Sequence, residues 1–266
     1  MKPWSYKHGW ALVTGASAGI GKEFAEQLAA RATRVVLSAR RVERLDELAS
    51  HLSGTYGVET VVIPADLALP GEAERLWADA SEGRTIELLV NNAGFGVQGR
   101  FDEVDLARHR AIVQVNCTAL LELAHLAIRD MRPRRSGGII NVASIAAFQP
   151  VPQLASYAAS KALVLNLSEA LWAENHADGI RILALCPGRT PTEFQEVAGT
   201  GTAEGAFGYR TPEQVVNEAL EAFEAGKSYV VPGFENLAAS WVVRSLPRTT
   251  VVRLLKRLVK RAIRAT

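Results

Sequence analysis

Short apolar runs alternate with stretches of helical periodicity along most of the chain. After the first run, Ile20, Phe24 and Leu28 recur at the spacing of one helix face. Strands that alternate with helices predict parallel βαβ units and hence an α/β fold. We expect a single doubly wound domain with a seven-stranded parallel sheet flanked by helices. The predicted strands lie near residues 10–15, 34–39, 58–64, 86–91, 137–144, 180–186 and 228–231.

The end of the chain has a different composition from the rest. Residues 237–266 contain eight Arg or Lys and no Asp or Glu, whereas the whole chain carries a net charge of only +2. Basic and apolar positions interleave there, which predicts a basic amphipathic helix. We therefore expect a main domain at residues 1–236 and a helical tail at residues 237–266. The tail either binds an anionic membrane surface or packs its apolar side on the body or on a second subunit.

Composition excludes several classes of protein. Cys117 and Cys186 are the only cysteines, as is typical of a reducing compartment, and no metal-ligand spacing is present. The N-terminus lacks the apolar segment of a secretory signal, and no run reaches the ~18 apolar residues of a membrane span. Because no metal-ligand spacing is present, we expect no bound metal. Basic residues concentrate only in the tail, so we expect no nucleic-acid partner. We expect a cytoplasmic protein, associated with the inner face of the membrane if the tail binds there.

A glycine-rich turn follows the first predicted strand. Gly15, Gly19 and Gly21 form a Gly-x-x-x-Gly-x-Gly pattern between that strand and an amphipathic helix. Glycines let backbone amides approach a pyrophosphate, and the N-terminus of the following helix favours negative charge. The pattern indicates a dinucleotide site. The alternative is a strand-to-helix turn that binds no ligand.

Tyr157 and Lys161 stand at i and i+4, which places them on one face of a helix. An ammonium beside a phenol favours the phenolate, so we expect the pKa of Tyr157 to fall toward a value suited to proton transfer near neutral pH. The hydroxyl of Ser144, thirteen residues upstream, can hold a carbonyl oxygen next to that phenol. A surface tyrosine and a solvated lysine at the same spacing are the alternative.

Further motifs lie in order along the chain: Asp66-Leu67, Asn91-Asn92-Ala93-Gly94, Asn116, and Pro187-Gly188-Arg189-Thr190-Pro191-Thr192. With the glycine turn, Ser144 and Tyr157-x-x-x-Lys161, they resemble the short-chain dehydrogenase/reductase family over about residues 9–232. The resemblance implies a Rossmann-type catalytic domain, here residues 1–236. Its implied activity is reversible hydride transfer between a nicotinamide and a carbonyl or secondary alcohol carbon. The basic tail is similar to tails in a bacterial branch of the family that resembles cell-envelope and lipid-associated reductases.

The resemblance implies four catalytic residues, Asn116, Ser144, Tyr157 and Lys161. Tyr157 supplies or removes the proton of the substrate oxygen, and Ser144 orients and polarises that oxygen. Lys161 lowers the pKa of Tyr157 and bonds the nicotinamide ribose. Asn116 holds a water that links Lys161 to bulk solvent; a capped or kinked helix is the alternative explanation for an Asn in a helical stretch.

The family also implies where the cofactor lies. Asp66 contacts the adenine, residues 92–94 pass beneath the adenosine ribose, and residues 187–192 face the nicotinamide. A strand-ending cap is an alternative role for Asp66, and Thr190 departs from a family pattern that is often aliphatic. The cofactor-binding residues are then Gly15, Ala16, Ser17, Gly19, Ile20, Gly21, Arg40, Asp66, Leu67, Asn92, Ala93, Gly94, Tyr157, Lys161, Pro187, Gly188, Thr190 and Thr192.

The end of the second strand favours NADP(H) as the cofactor. Ala39 stands where an acidic residue would accept the ribose hydroxyls of NAD, and Arg40 follows it. A guanidinium matches a 2′-phosphate, to which Ser17 can donate a second hydrogen bond. By similarity to NADP-preferring relatives we expect NADP(H), with NAD(H) as the alternative. Arg40 and Arg41 would otherwise be solvated charges at a helix start.

The segments expected around the substrate are mostly apolar. Phe95, Phe148 and Phe194 supply walls beside Ser144, and the Gly- and Ala-rich loop 198–208 predicts a mobile lid. An apolar ketone or aldehyde, or a secondary alcohol, fits best. Similarity implies a homodimer or homotetramer. Two other functions stay open: a non-catalytic dinucleotide-binding regulatory protein, which retention of all four catalytic residues disfavours, and NAD-dependent alcohol oxidation.

Overall fold

The structure, a computed structural model, describes residues 3–6, 9–199 and 208–265. Its strands are β1 (Trp10–Thr14), β2 (Arg34–Ser38), β3 (Thr60–Val62), β4 (Ile86–Asn91), β5 (Gly137–Val142), β6 (Ile180–Leu185) and β7 (Tyr229–Val230). All are parallel and form one seven-stranded sheet in the order β3-β2-β1-β4-β5-β6-β7. The predicted fold class, a Rossmann-type parallel sheet flanked by helices, is confirmed.

Helices connect the strands and extend the chain beyond the sheet. Those in the described residues are α1 (Gly19–Ala30), α2 (Val42–Tyr56), α3 (Glu72–Ser81), α4 (Leu106–Val113), α5 (Leu120–Arg134), α6 (Ala155–Asn175), α7 (Phe194–Ala198), α8 (Pro212–Glu224), α9 (Phe234–Ser245) and α10 (Arg248–Ala265). A π-helical turn (Gln114–Ala119) joins α4 to α5, and short 3-10 turns cover Ile145–Phe148 and His176–Asp178.

Helices cover both faces of the sheet, which explains why the strands are continuous apolar runs. Successive residues of a strand point to opposite faces. Val13 of β1 therefore packs in the core that contains Phe24 and the other inner residues of α1, α2 and α8. Leu12 packs in the opposite core, which contains Leu76 of α3 and the inner face of α5. α6 lies over β6 on this second face.

The two edge strands are shorter than the sequence predicts. β3 covers three residues of the predicted 58–64 run, and β7 covers two residues of the predicted 228–231 run. Backbone bonds to β2 nevertheless continue on both sides of β3, from Val35 N to Glu59 O (3.1 Å) and from Ala65 N to Ala39 O (3.2 Å). The predicted run thus pairs with β2 on both sides of β3. The strand itself is short because an edge strand, which has only one neighbour, departs from regular strand geometry at its ends.

The chain reverses its direction of travel across the sheet between β1 and β4. It runs from β1 outward to β2 and β3, then returns to β4 and continues to β7 on the other side. The carboxyl ends of β1 and β4 therefore form the switch point of the sheet, where the crevice of an open α/β fold binds its ligand. The glycine turn follows β1, and Asn92 follows β4.

The helical stretch Leu106–Arg134 is long and apolar enough to cross a membrane by length and composition. It comprises α4, the π turn and α5. Half of its apolar window is buried, and Leu123 and Ala127 belong to the core beneath the sheet. We therefore interpret it as a core helix. The sequence predicts a helix here but not the π turn, which contains Asn116.

The C-terminal helices begin inside the main body. The predicted division after residue 236 falls within α9, whose Asn236 and Ser240 are buried. Val251 of α10 is also buried. The division into a domain and a tail stays a prediction. The side chains of residues 258–266 and the lid residues 200–207 lie outside the described residues.

Candidate active site

Ser144 and Tyr157 meet above the carboxyl end of β5. Ser144 lies two residues after this strand, and its Oγ accepts a hydrogen bond from Ala146 N (3.1 Å), which fixes the start of the following 3-10 turn. Tyr157 lies in the first turn of α6, which packs on β5 and β6. The Ser144 hydroxyl is close enough to the Tyr157 phenol to lower its pKa. The predicted hydroxyl pair is thus brought together.

Lys161 lies one helical turn after Tyr157 and is buried. Its Nζ donates a hydrogen bond to Val142 O (2.7 Å) and lies 5.8 Å from the centroid of the Tyr157 ring. Burial lowers the pKa of Lys161 to about 8, because the charged ammonium loses water. With this pKa, Lys161 is mostly charged at neutral pH, and its pKa lies close to that pH.

Tyr157 has a raised pKa, about 12. Burial is the largest cause, Ser144 acts in the opposite direction through its hydrogen bond, and Cys186 raises the pKa further. The expected lowering by Lys161 is wrong for this structure, because loss of water around the phenolate dominates and the ammonium is bonded to Val142 O. At neutral pH Tyr157 is therefore a phenol that can donate its proton.

Asn116 ties the loop after β4 to the π turn. Its Oδ1 accepts from Phe95 N (3.1 Å), and its Nδ2 donates to Phe95 O (3.0 Å) and to Ser160 Oγ (3.0 Å). A methyl group added at Gly94 would lie 3.1 Å from Asn116 Oδ1 and 3.3 Å from Lys161 Nζ. Gly94 therefore lies next to both Asn116 and Lys161, the two residues that the family resemblance expects a water to connect. Both N–H groups of Asn116 already donate hydrogen bonds to protein atoms. A water could therefore bind Asn116 only by donating a hydrogen bond to its Oδ1.

The glycine turn is closely packed against the loop after β4. Gly15 and Gly19 have positive φ angles (66° and 55°), and a methyl group added at Gly15 would lie 2.7 Å from Asn92 Nδ2. The hydroxyl of Thr14 accepts from Asn92 N and Ala93 N (3.0 Å each), and Asn92 Nδ2 donates to Thr14 O (2.9 Å). These bonds lock the loops after β1 and β4 together across the crevice.

The predicted phosphate end contains a charged network that the sequence analysis missed. Arg41 donates from Nε (3.2 Å) and Nη2 (3.0 Å) to Ser17 Oγ, and its Nη1 pairs with Glu193 (2.6 Å). Arg44 binds the other oxygen of Glu193. Arg40, the residue that the sequence favours, is exposed beside this network. The only sequence signal for Arg41 was its position next to Arg40.

The segment after β6 is anchored on both sides. Pro187 O accepts from Ile145 N (3.0 Å), next to Ser144. Gly188 packs against Asn236 of α9, whose Nδ2 donates to Gly208 O and Pro232 O (2.8 Å each). Asn236 thus contacts both Gly188 after β6 and Gly208 before α8. The sequence analysis missed Asn236, because nothing in its local pattern marks it.

The three predicted substrate-side aromatic residues have different surroundings. The Phe194 ring lies 5.1 Å from the Tyr157 ring, centroid to centroid, and both border Gly96. Phe148 packs on Tyr229 with ring centroids 6.3 Å apart. Phe95 lies beneath the guanidinium of Arg108. Only Phe194 touches the proposed acid–base residue directly.

The remaining predicted cofactor residues also lie along the carboxyl edge of the sheet. Ala16 N donates to Ser38 O at the end of β2 (3.1 Å). Asp66 accepts from Ala68 N (3.1 Å), a turn that fits the alternative role of a cap, and Leu67 is buried after it. Ile20 is half-buried in the first turn of α1. These positions lie close to the carboxyl ends of β1 and β3.

Several features of the crevice fit a dinucleotide. The N-terminus of α1 has no side-chain cap and no acidic residue in its first turn, so its amides are available to an anion. A side chain at Gly15 or Gly19 would collide with Asn92 or Thr192, so glycine is needed for the loops after β1, β4 and β6 to pack together. Thr190 Oγ1 is buried without a protein hydrogen-bond partner, next to the segment expected to face the nicotinamide. Among the described residues, no group of His, Cys, Asp and Glu could hold a metal ion.

Comparison with known proteins places this geometry in a family. Residues 9–202 match the short chain dehydrogenase family. The 7beta-hydroxysteroid dehydrogenase of Collinsella aerofaciens is 34% identical over 215 residues, which cover 80% of this chain and 81% of that protein. The inactive hydroxysteroid dehydrogenase-like protein 1 of Mus musculus is 35% identical over 205 residues, covering 76% of this chain and 60% of that protein.

A solved structure extends the similarity to three dimensions. The short-chain dehydrogenase from Sphingobium yanoikuyae in complex with NADPH matches with a TM-score of 0.82 at 32% identity, covering 88% of this chain and 91% of that one. The family match and the Collinsella relative each span most of this chain. The chain therefore belongs to the short-chain dehydrogenase/reductase family of oxidoreductases.

Proposed function

We propose that the chain is an NADP(H)-dependent oxidoreductase that interconverts an apolar ketone or aldehyde and the corresponding alcohol, with Tyr157 as the general acid and base. The observation that carries this proposal is the cluster of Ser144, Tyr157 and Lys161 at the carboxyl end of β5. A hydroxyl pair and a buried ammonium at the mouth of a dinucleotide crevice suit proton transfer to an oxygen beside a hydride donor.

Each member of the cluster has a separate task in this mechanism. Bound nicotinamide would supply the hydride for reduction and accept it for oxidation. The protonated phenol of Tyr157 donates to the substrate oxygen as that oxygen gains charge, and takes the proton back in the reverse direction. The Ser144 hydroxyl lies near this phenol, so a substrate oxygen could accept hydrogen bonds from both hydroxyls.

Lys161 and Asn116 support the proton on Tyr157. With its single carbonyl partner, the ammonium of Lys161 has donors left for ribose hydroxyls, and its lowered pKa allows it to pass a proton on. The free lone pair of Asn116 Oδ1, across Gly94, suits a water between the two residues. Asn116 also positions the loop at Phe95, so we assign it both tasks.

A non-catalytic dinucleotide-binding protein is the second candidate. The inactive mouse relative favours it, since close similarity to this chain does not by itself ensure activity. The assembled cluster in this chain argues for catalysis. Turnover by the purified protein separates the two functions.

Replacing Tyr157 tests the proposed mechanism. We expect Tyr157→Phe to lower kcat by about 10²–10⁴-fold, the usual contribution of a general acid or base. The affinity for NADPH should change little, because the ring and its packing on Phe194 remain. Oxidation of NADPH with a panel of bulky ketones measures the rate, and nicotinamide fluorescence measures the affinity.

Tyr229→Phe is the matched control, since it removes a phenolic hydroxyl from the same region without touching the cluster. It should leave turnover near that of the wild type. Near-normal turnover by the Tyr157 variant would show that another group transfers the proton.

The arginines at the end of β2 support NADP(H) over NAD(H). Arg41 and Ser17 are already hydrogen-bonded to each other, and Arg44 lies beside them. A 2′-phosphate bound here would meet guanidinium donors and a hydroxyl. The NADPH complex of the Sphingobium structure agrees with this choice. We assign the main phosphate contact to Arg41, with Arg40 as an exposed neighbour.

Two single variants separate these arginines. Arg41→Gln should raise the Kd for NADPH about tenfold, because a hydrogen bond to a charged group contributes about 1.5–3 kcal/mol. The Kd for NADH should change much less, since NADH lacks the phosphate. Arg40→Gln, the matched control, should have the smaller effect on NADPH. If Arg40→Gln raises the Kd for NADPH more than Arg41→Gln does, Arg40 makes the main phosphate contact.

The substrate side favours a large apolar molecule. Phe194 packs beside Tyr157, and Phe194, Phe148 and Phe95 are each half-buried, so they have surface left to contact a ligand. The Collinsella relative is named for a hydroxysteroid. We therefore propose a steroid-like or lipid-like carbonyl or alcohol as the substrate.

Apolar residues on α4, α5 and α6 support a homodimer or homotetramer. Leu106, Val113, Leu121 and Leu163 are exposed although their helices are otherwise amphipathic or buried. Isolated exposed leucines are normal, but a set on adjacent helices suits an interface. These helices coincide with the stretches 103–130 and 155–175 through which we expect association.

The C-terminal helices support contact with an anionic membrane surface. α9 exposes Phe234, Trp241 and Val242, with Phe234 77% exposed. α10 adds the exposed basic residues Arg253 and Lys256. Exposed aromatic residues beside basic ones are typical of surfaces that bind at the lipid headgroup level. We propose a cytoplasmic protein that binds the inner face of the membrane through this region.

Removing basic residues without removing the helix tests this proposal. Arg253→Gln, Lys256→Gln and Arg257→Gln together should abolish co-sedimentation with anionic vesicles, because each basic residue contributes about 1 kcal/mol near such a surface. Truncation at Pro247 should have the same effect. Neutral phosphatidylcholine vesicles and cofactor binding are the controls. Equal sedimentation of all three proteins would place the tail on the protein body or on a second subunit.

A further inference from the structure

The short segment Thr192–Phe194 contacts three parts of the site at once. A methyl group added at Gly19 in the glycine turn would lie 2.8 Å from Thr192 Cγ2. Glu193 pairs with Arg41. Phe194 packs on the ring of Tyr157. The segment therefore lies across the path from the glycine turn to the acid–base residue.

The carboxylate of Glu193 occupies the donors that a 2′-phosphate would use. Arg41 directs two nitrogens to Ser17 and its remaining one to Glu193, and Arg44 binds the second carboxylate oxygen. Carboxylates and phosphates are recognised by the same guanidinium fork. One nitrogen of Arg41 cannot serve both anions at full strength, so the two must compete.

We propose that Glu193 is a specificity-determining residue that competes with the 2′-phosphate of NADP(H) for Arg41 and Arg44, and that its displacement moves Phe194 away from Tyr157. The inference rests on the proposed NADP(H) function. NAD(H), which lacks the phosphate, leaves the ion pairs in place. The phosphate thus both anchors the cofactor and opens the substrate side.

The segment is built to move as one unit. The side chain of Gln195 accepts from Thr192 N (3.0 Å) and donates to Thr190 O (2.6 Å), so the turn before α7 is closed on itself. A backbone shift that carries Glu193 away from Arg41 therefore also carries the adjacent Phe194. At the far end, Ala198 O accepts from Gln98 N (2.8 Å), which retains α7 on the body.

The strength of the ion pairs permits displacement. The side chains of Arg41 and Glu193 are 43% and 37% exposed, and exposed pairs contribute little free energy each. A phosphate carries up to two negative charges and more acceptor oxygens than a carboxylate. A buried Glu193 pair would instead have blocked the cofactor.

Cofactor affinity provides the first test. We expect Glu193→Gln to lower the Kd for NADPH about fivefold, as expected from loss of a competing exposed ion pair, while the Kd for NADH changes by less than about twofold. Glu196→Gln is the matched control, because Glu196 carries the same charge, lies three residues further on in α7 and is exposed. It should leave both affinities unchanged. Equal changes in the two Kd values would overturn the competition.

Hydrogen exchange of residues 190–198 tests the displacement itself. In the wild-type chain, adenosine 2′,5′-bisphosphate should raise exchange in this segment, whereas adenosine 5′-monophosphate should not. In Glu193→Gln exchange should be high without either probe. If the bisphosphate binds but exchange is unchanged in both the wild-type chain and Glu193→Gln, the displacement proposal is rejected and the NADP(H) assignment is not. Failure of the bisphosphate to bind more tightly than the monophosphate in either chain rejects the NADP(H) assignment as well.

Discussion

The hydrogen bond from Lys161 to Val142 O sets the geometry of the site. It joins α6 to the end of β5, and the ammonium that makes it is buried. A buried charge costs free energy unless it is hydrogen-bonded, so α6 is held at one position along the sheet. Tyr157, one turn earlier, then lies beside Ser144. Burial opposes charge on both Tyr157 and Lys161. The phenol of Tyr157 therefore stays protonated at neutral pH, and the pKa of Lys161 falls to about 8.

The cofactor side and the substrate side share one short connection. The bonds between Thr14 and Asn92 fix the crevice between β1 and β4, and Asn236 holds the base of the loop after β6. Between these fixed points, Thr192–Phe194 reaches from the glycine turn to Tyr157. A ligand group that binds Arg41 therefore acts on the same segment that covers the proposed proton donor. This arrangement explains how cofactor choice and substrate access can depend on one carboxylate.

The sequence predicted the sheet well, because buried parallel strands are apolar runs separated by helices. The glycine turn and the cluster of Ser144, Tyr157 and Lys161 were also recognisable, because several motifs together resemble those of the short-chain dehydrogenase/reductase family in order and spacing. The direction of the Tyr157 pKa was not, because burial arises from tertiary packing. Glu193 lies 152 positions from Arg41, so no local pattern could pair them. The π turn at Asn116 likewise depends on bonds to the distant loop after β4.

Deuterium transfer tests the central claim most directly. The purified chain would be mixed with each member of the panel of bulky ketones and with NADPH that carries deuterium at C4 of the nicotinamide, using each of the two stereospecifically labelled forms. The account predicts that one form delivers its deuterium to the carbinol carbon of the alcohol product, as detected by mass spectrometry. NADPH oxidation without deuterium in the alcohol from either form would contradict hydride transfer to the carbonyl. Absence of an alcohol product with every ketone of the panel would favour the non-catalytic alternative.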